Sequence, residues 1–145
     1  MPRGIIVLIC GLPSSGKTTL ADSLACELVE MGHSCERVNA DEVRGDSEDW
    51  DFSLAGRARQ SRRMFSLATD KVADADVVLA DFVCPTKETR ALFHADVVVW
   101  MNTVTSSPYK DTDDIFQPFP DADLRITSFD ASNVKRCAEL ICKIL

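Results

Sequence analysis

At 145 residues the chain has single-domain length, enough to bury one substantial core. A hydrophobic fraction of 46% with charges of both signs excludes a disordered chain, and no apolar run approaches the ~20 residues of a membrane span. The net charge of −7 argues against a surface that coats nucleic acid, so neither a nucleic acid nor a membrane is expected as partner. Met1-Pro2-Arg3-Gly4 runs straight into an apolar segment, so a signal peptide would have to consume that segment, and a cytoplasmic protein is expected. Six cysteines (Cys10, Cys26, Cys35, Cys84, Cys137, Cys142) include no C-x-x-C pair, and the two histidines are isolated. Free thiols in a reducing compartment fit this pattern better than disulfides or zinc, with Cys10 and Cys84 the two singled out for a check of alkylation sensitivity.

In chain order, residues 4–10 carry Ile5-Ile6-Val7-Leu8-Ile9, a buried-strand signal, and residues 17–31 read as a helix that Gly32 ends. Ser34–Asn39 is a short second strand. Residues 54–73 place Leu54, Ala58, Phe65, Ala68 and Val72 at helical spacing. Asp76–Asp81 contains a third strand, Lys87–Phe93 a short helix, and Ala95–Met101 a fourth strand. Residues 102–121 read as a long loop, Leu124–Thr127 as a last strand, and Ser132 or Asn133 as the cap of a helix reaching Leu145. Alternating strands and helices with continuously apolar strands predict a single α/β domain over residues 1–145, three layers deep, with a parallel sheet of about five strands.

Between the first strand and first helix stands Gly11-Leu12-Pro13-Ser14-Ser15-Gly16-Lys17-Thr18, which fits G-x-x-x-x-G-K-[ST]. In that setting, a P-loop, the backbone N–H groups of Gly11, Ser14, Ser15, Gly16 and Thr19 and their neighbours can cradle the phosphates of ATP. Lys17 then approaches the β/γ-phosphates, and the Thr18 hydroxyl is placed for Mg²⁺. Asp41 and Asp81, each at the end of a strand, are candidates to orient an acceptor hydroxyl and to hold Mg²⁺ through water, with helix capping or turn formation as the plain alternative.

Charge is unevenly spread. Arg57, Arg59, Arg62 and Arg63 lie within seven residues, whereas Asp111 to Asp130 holds six Asp against only Arg125. At ~100° per residue, Arg57 and Gln60 share one flank of the apolar stripe, while Arg59 and Arg63 point away from the core and are expected to be solvated. With Arg44 they make a candidate clamp for a second anionic ligand. Phe82-Val83-Cys84-Pro85 follows a strand end, where Phe82 either stacks on a base or packs under the next helix.

These segments, in this order, resemble the adenylylsulfate kinase family of P-loop kinases. Gly11–Thr19 is the first match. Asn39-Ala40-Asp41-Glu42-Val43-Arg44 is similar to D-G-D-N-[VI]-R, whose second Asp is the proposed base and whose Arg grips the substrate anion. Phe52-Ser53 with Arg57, Gln60, Arg62 and Arg63 is similar to F-S-x-x-D-R-x-E-N-I-R-R, and Phe82–Pro85 to F-I-S-P, whose Phe stacks on the substrate adenine. The resemblance implies a P-loop NTPase fold, with ATP and Mg²⁺ used to phosphorylate the 3′-hydroxyl of adenosine 5′-phosphosulfate. It makes Asp41 and Lys17 catalytic, Thr18 and Asp81 the metal side, and Asp41, Arg44, Phe52, Arg57, Gln60, Phe82, Val83 and Cys84 the acceptor side. The chain departs from the motifs at Asn39, Arg59, Gln60 and Cys84. After Trp100 it has a shorter, acidic segment, with Lys110 as its cation, where the family has a basic lid. A kinase of this fold with another hydroxyl acceptor and a non-catalytic nucleotide-binding regulator are the competing readings. Whether the chain forms a homodimer stays open.

Overall fold

A computed structural model describes residues 4–145; Met1–Arg3 lie outside the described residues. The apolar runs form five strands, β1 (Ile5–Gly11), β2 (Cys35–Asn39), β3 (Val77–Asp81), β4 (Val97–Met101) and β5 (Leu124–Ile126). All are parallel, in the order β2-β3-β1-β4-β5. β1 and β3 are buried at every residue, as strands covered on both faces must be.

Six helices cover the sheet: α1 (Lys17–Glu30), α2 (Ala40–Ser47), α3 (Leu54–Val72), α4 (Lys87–Phe93), α5 (Lys110–Ile115) and α6 (Ser132–Ile144). α1 and α6 bring Leu20, Leu24, Leu28, Cys137 and Ile141 onto Val7, Ile9, Leu79 and Val99. On the opposite face α3 and α4 bring Met64, Ala68, Val72 and Phe93 onto Ile6, Leu8, Val78 and Ala80. The result is the expected three-layer α/β/α arrangement of a P-loop NTPase fold, with two apolar cores separated by the sheet.

Local chemistry sets several boundaries. Gly32 sits at φ 93° just beyond α1, where glycine carries little steric cost. Thr86 and Thr89 form a reciprocal capping box that starts α4. Ser53 caps α3 by accepting from Gly56 N.

Several expectations are corrected. Residues 102–121 are not all loop, because α5 forms within them, its start steadied by Ser107, which binds Asp113 through both its N–H and hydroxyl. α2 was not foreseen either; Asn39 caps it through Glu42 N, so Asp41 lies in a first helical turn rather than at a strand end. Leu54 is exposed on α3, whose buried stripe instead runs through Ala58, Met64, Ala68 and Val72. α6 begins at Ser132 with Asp130 accepting from its N–H, so neither Ser132 nor Asn133 is the cap.

The fold positions the site through register. Ile9 of β1 lies opposite Asp81 of β3, which lies opposite Asn39 of β2. The carboxyl ends of three adjacent strands therefore meet in one row. β1 has β3 on one side and β4 on the other, and the chain changes direction across it; at such a switch point a crevice opens beyond the strand ends.

Phe93 is fully buried and packs edge-on against Phe82 and Phe65, with ring centroids 5.2 and 6.2 Å away. Phe93→Ala is expected to destabilise the chain by about 3–5 kcal/mol. Urea unfolding measures this, and a loss below about 1 kcal/mol would contradict the assigned packing.

Candidate active site

The loop after β1 turns on its glycines. A Cβ on Gly11 would lie 2.5 Å from Met101 O, and one on Gly16 would lie 2.7 Å from the Phe129 ring. Gly16 has φ 95° and leads into α1, whose first N–H groups precede any i−4 partner and face the loop. Lys17 folds back across the loop, donating to Leu12 O at 2.8 Å. Burial pushes its ammonium down to about 8, although Asp81, Cys10 and Asp41 all favour the charged form.

Beyond the strand ends lies a cleft of about 1030 Å³. One wall is the loop, through Ser14, Gly16, Lys17, Thr18 and Thr19. Asp41, Arg44, Phe52, Arg57, Gln60, Phe82, Val83 and Cys84 line the same cleft, as does Asp81. Gly11 and Ser15 of the same loop are buried and stand outside the cleft lining. The expected nucleotide and acceptor residues therefore share one space.

At the base of the cleft Asp81 is only 3% exposed. Its Oδ2 accepts from Thr18 Oγ1 at 3.0 Å and from Asn39 Nδ2 at 2.9 Å, while Oδ1 has a longer contact of 3.4 Å with Arg37. A hydroxyl and a carboxylate here are hard oxygen donors of the kind Mg²⁺ accepts when phosphates and waters supply the remaining ligands. The residues present thus fit the metal that the motif implies.

The basic groups divide by burial. Arg57 donates from Nε to Phe52 O at 2.9 Å and from a terminal nitrogen to Thr112 Oγ1 at 2.7 Å. Arg44 donates to Asp49 O and Asp51 O. Both guanidinium groups lie over the Phe52 ring, 5.3 and 4.3 Å from its centroid, so this half-exposed aromatic steadies the pair. Burial lowers the pKa of each, yet both remain charged. Gln60 donates to Ala40 O and accepts from Arg63. Arg59 and Arg63 are not merely solvated as expected, since both bind Asp49 and hold its carboxyl well below the usual range. Arg62 is exposed on α3.

Phe82 resolves towards the core. It is 7% exposed and packs on Phe93, while still contributing to the cleft lining. Its backbone continues along β1, with Phe82 N bonded to Ile9 O and Gly11 N to Val83 O. Cys10 and Cys84, the two singled out for a check of alkylation sensitivity, are buried, and burial pushes their thiols up to about 11 and about 12.

The segment joining β4 to β5 is a strap tied at three places. Thr103 donates to Ser15 O in the loop, Thr112 accepts from Arg57, and Gln117 N donates to Pro85 O. Arg90, buried in α4, donates to Cys84 O, Gln117 O and Pro118 O and stacks on Phe116 and Phe119. Lys110, the strap's expected cation, is spent on Asp114. Sequence reasoning missed Arg90, Thr112 and the exposed cleft aromatics Trp50, Tyr109 and Phe129. Trp50, two residues before Phe52, was the nearest to a legible signal; the others depend on long-range contacts.

Fold and loop together define a P-loop nucleotide-binding domain. The family model described as adenylylsulphate kinase matches residues 3–112, and the chain belongs to that family. It is 37% identical over 99 residues to the bifunctional enzyme CysN/CysC of Mycobacterium tuberculosis, a stretch covering 66% of this chain and 16% of that protein. It is 36% identical over 89 residues to a probable adenylyl-sulfate kinase of Aeropyrum pernix, covering 61% of this chain and 49% of that one. The matched stretch is thus half or less of these relatives' length. The structure of the Mycobacterium tuberculosis APS kinase CysC in complex with AMPPNP and APS superposes with a TM-score of 0.78 at 26% identity, covering 99% of this chain and 98% of that one. No helix among the described residues is long and apolar enough to cross a membrane.

The lowered Lys17 pKa predicts that binding of a polyphosphate at the loop is proton-linked. Above pH 8 the free site has partly lost the Lys17 proton, and a bound polyphosphate restores it. Calorimetry of ADP binding between pH 8 and 9 in buffers of different ionisation enthalpy is therefore expected to show proton uptake, lost in Lys17→Met. The thiols supply a second check. Iodoacetamide at pH 8 is expected to label exposed Cys26 first and to leave Cys10 and Cys84 unmodified until the chain is denatured, as read by peptide mass mapping.

Proposed function

We propose that this chain is an ATP- and Mg²⁺-dependent kinase that phosphorylates the 3′-hydroxyl of adenosine 5′-phosphosulfate. The observation that carries the reading is the placement of Asp41, Arg44 and Arg57 across one cleft from Lys17 and Thr18. The complex of the similar CysC structure with AMPPNP and APS supports it.

Phosphoryl transfer asks little covalent chemistry of the protein; it needs positioning and charge neutralisation. The loop amides and Lys17 hold the ATP phosphates, with Lys17 nearest the group that moves. Thr18, and Asp81 through water, would hold Mg²⁺, and the ion would supply charge neutralisation at the transferring phosphate. Asp41, exposed to the cleft, accepts the proton of the acceptor hydroxyl as it attacks the γ-phosphorus. Arg44 and Arg57 hold the phosphosulfate anion, and Phe52 with Phe82 borders its adenine. Gln60 fixes the wall by bracing Ala40, next to Asp41.

A second reading, a kinase of the same fold with a less anionic hydroxyl acceptor, has one observation in its favour. Asp111 lines the cleft and faces Arg57, offsetting part of the charge that an anionic acceptor would use.

ADP release assayed with and without adenosine 5′-phosphosulfate decides between them: strict dependence on that acceptor is expected, and equal rates would sink the specific claim. Asp41→Asn is expected to lower kcat by about 10²–10⁴-fold while leaving MgADP affinity intact. Arg57→Ala is expected to raise the acceptor KM by about tenfold or more, the value of a charge-assisted hydrogen bond. Unchanged acceptor KM in that variant would remove Arg57 from the acceptor side.

A further inference from the structure

The motif D-G-D-N-[VI]-R carries an acid at the position of Asn39 as well as at Asp41. Asn39 is the last residue of β2 and lies opposite Asp81, the last residue of β3. The Asn39 amide donates to Asp81 Oδ2 at 2.9 Å, and the Thr18 hydroxyl donates to the same oxygen at 3.0 Å. An Asp at position 39 would put an acceptor where the amide now donates, so that hydrogen bond to Asp81 Oδ2 would be lost and a second acid would face the first. The amide is the group that satisfies the Asp81 carboxylate across the register.

Two further observations assign a role to the acid kept. Arg37, two residues before Asn39 and so on the same face of β2, reaches Asp81 Oδ1 at 3.4 Å while also binding Asp22. Asp81 lines the cleft; its Oδ2 is filled by two donors, whereas Oδ1 has only this long, shared contact among the described residues and retains lone-pair capacity. A carboxylate this buried, with one hydroxyl, one amide and a shared guanidinium, has room for a further positive partner.

We propose that Asn39 and Asp81 form an exchanged pair. The single carboxylate beside Thr18 is supplied from β3 instead of β2, and it is this group that couples Mg²⁺ to bound nucleotide. Arg37 is a positioning residue that orients it. The inference rests on the nucleotide site proposed above and adds a chain-specific origin for its metal-side acid.

Calorimetric titration of ADP, with excess Mg²⁺ and with EDTA, tests it without turnover. For the unaltered chain, ADP binding that Mg²⁺ strengthens is expected; no ADP binding in either condition would instead defeat the nucleotide reading itself. Asp81→Asn, which keeps the shape of the side chain, is expected to lose about tenfold or more of the Mg²⁺ enhancement while binding metal-free ADP at least as well. The double variant Asn39→Asp/Asp81→Asn returns the acid to β2 and the amide to β3, and is expected to recover the enhancement to within about threefold. Full enhancement in Asp81→Asn, or a double variant no better than Asp81→Asn, would overturn the proposal. If Asp81→Asn does not fold, the double variant decides: folded and responsive to Mg²⁺ supports the exchange, unfolded or unresponsive refutes it.

Discussion

The parallel register of β2, β3 and β1 sets Asn39, Asp81 and Ile9 in one row at the carboxyl edge of the sheet. From that row the P-loop departs after β1, Asp81 ends β3, and Asn39 caps α2, whose first turn holds Asp41. Side chains alternate along a strand, so a one-residue slip would turn Asp81 and Asn39 towards opposite faces and separate Asp81 from Thr18. The two apolar cores, one under α1 and α6 and one under α3 and α4, prevent that slip, because each strand's apolar positions already match the face they occupy. Packing of side chains remote from the cleft thus fixes a polar cluster at its base.

The strap from β4 to β5 shows how an acidic segment can cover a site for anions. Its acids are largely committed elsewhere: Asp113 to Ser107, Asp114 to Lys110, and Asp123 to Val98 N. It is tied to the loop by Thr103, to α3 by Arg57 and to the Phe82–Pro85 segment by Gln117. Arg90 is central to this arrangement. Its guanidinium has carbonyl oxygens and aromatic faces as partners, so its positive charge is not cancelled by an acid there. A buried cation satisfied by carbonyls holds the chain in place and leaves a favourable potential for anions nearby.

Much of this was legible in the sequence. The β-branched runs located the strands, and the G-x-x-x-x-G-K-[ST] spacing located the loop, because both signals are local. Resemblance to the family motifs gathered Asp41, Arg44, Phe52, Arg57, Gln60 and Phe82, which the fold then brings to one cleft. What escaped depends on distant partners. α5 lacks helical apolar spacing, and Ser107 with Asp113 makes it recognisable only after folding. Helical-wheel geometry set Arg59 and Arg63 facing solvent, but it could not see Asp49, which the turn after α2 brings back alongside them. Spacing left Phe82 between stacking on a base and packing under the next helix; it is buried against Phe93 and still lines the cleft, where the exposed aromatics Phe52 and Trp50 also stand. The amide at position 39, at first only a departure from a motif, gains a physical reason once Asp81 is seen opposite it.

The account's central claim is that one cleft holds two ligands, a nucleoside triphosphate on the loop and an anionic hydroxyl acceptor on the wall opposite. A crystal structure of the chain with Mg²⁺, a non-hydrolysable ATP analogue and adenosine 5′-phosphosulfate tests it most directly. The acceptor's 3′-hydroxyl is expected within hydrogen-bonding distance of Asp41, its phosphosulfate on Arg44 and Arg57, and the analogue's phosphates at Lys17 and Thr18. An analogue bound at the loop with the acceptor absent, or with its hydroxyl turned away from Asp41, would contradict it.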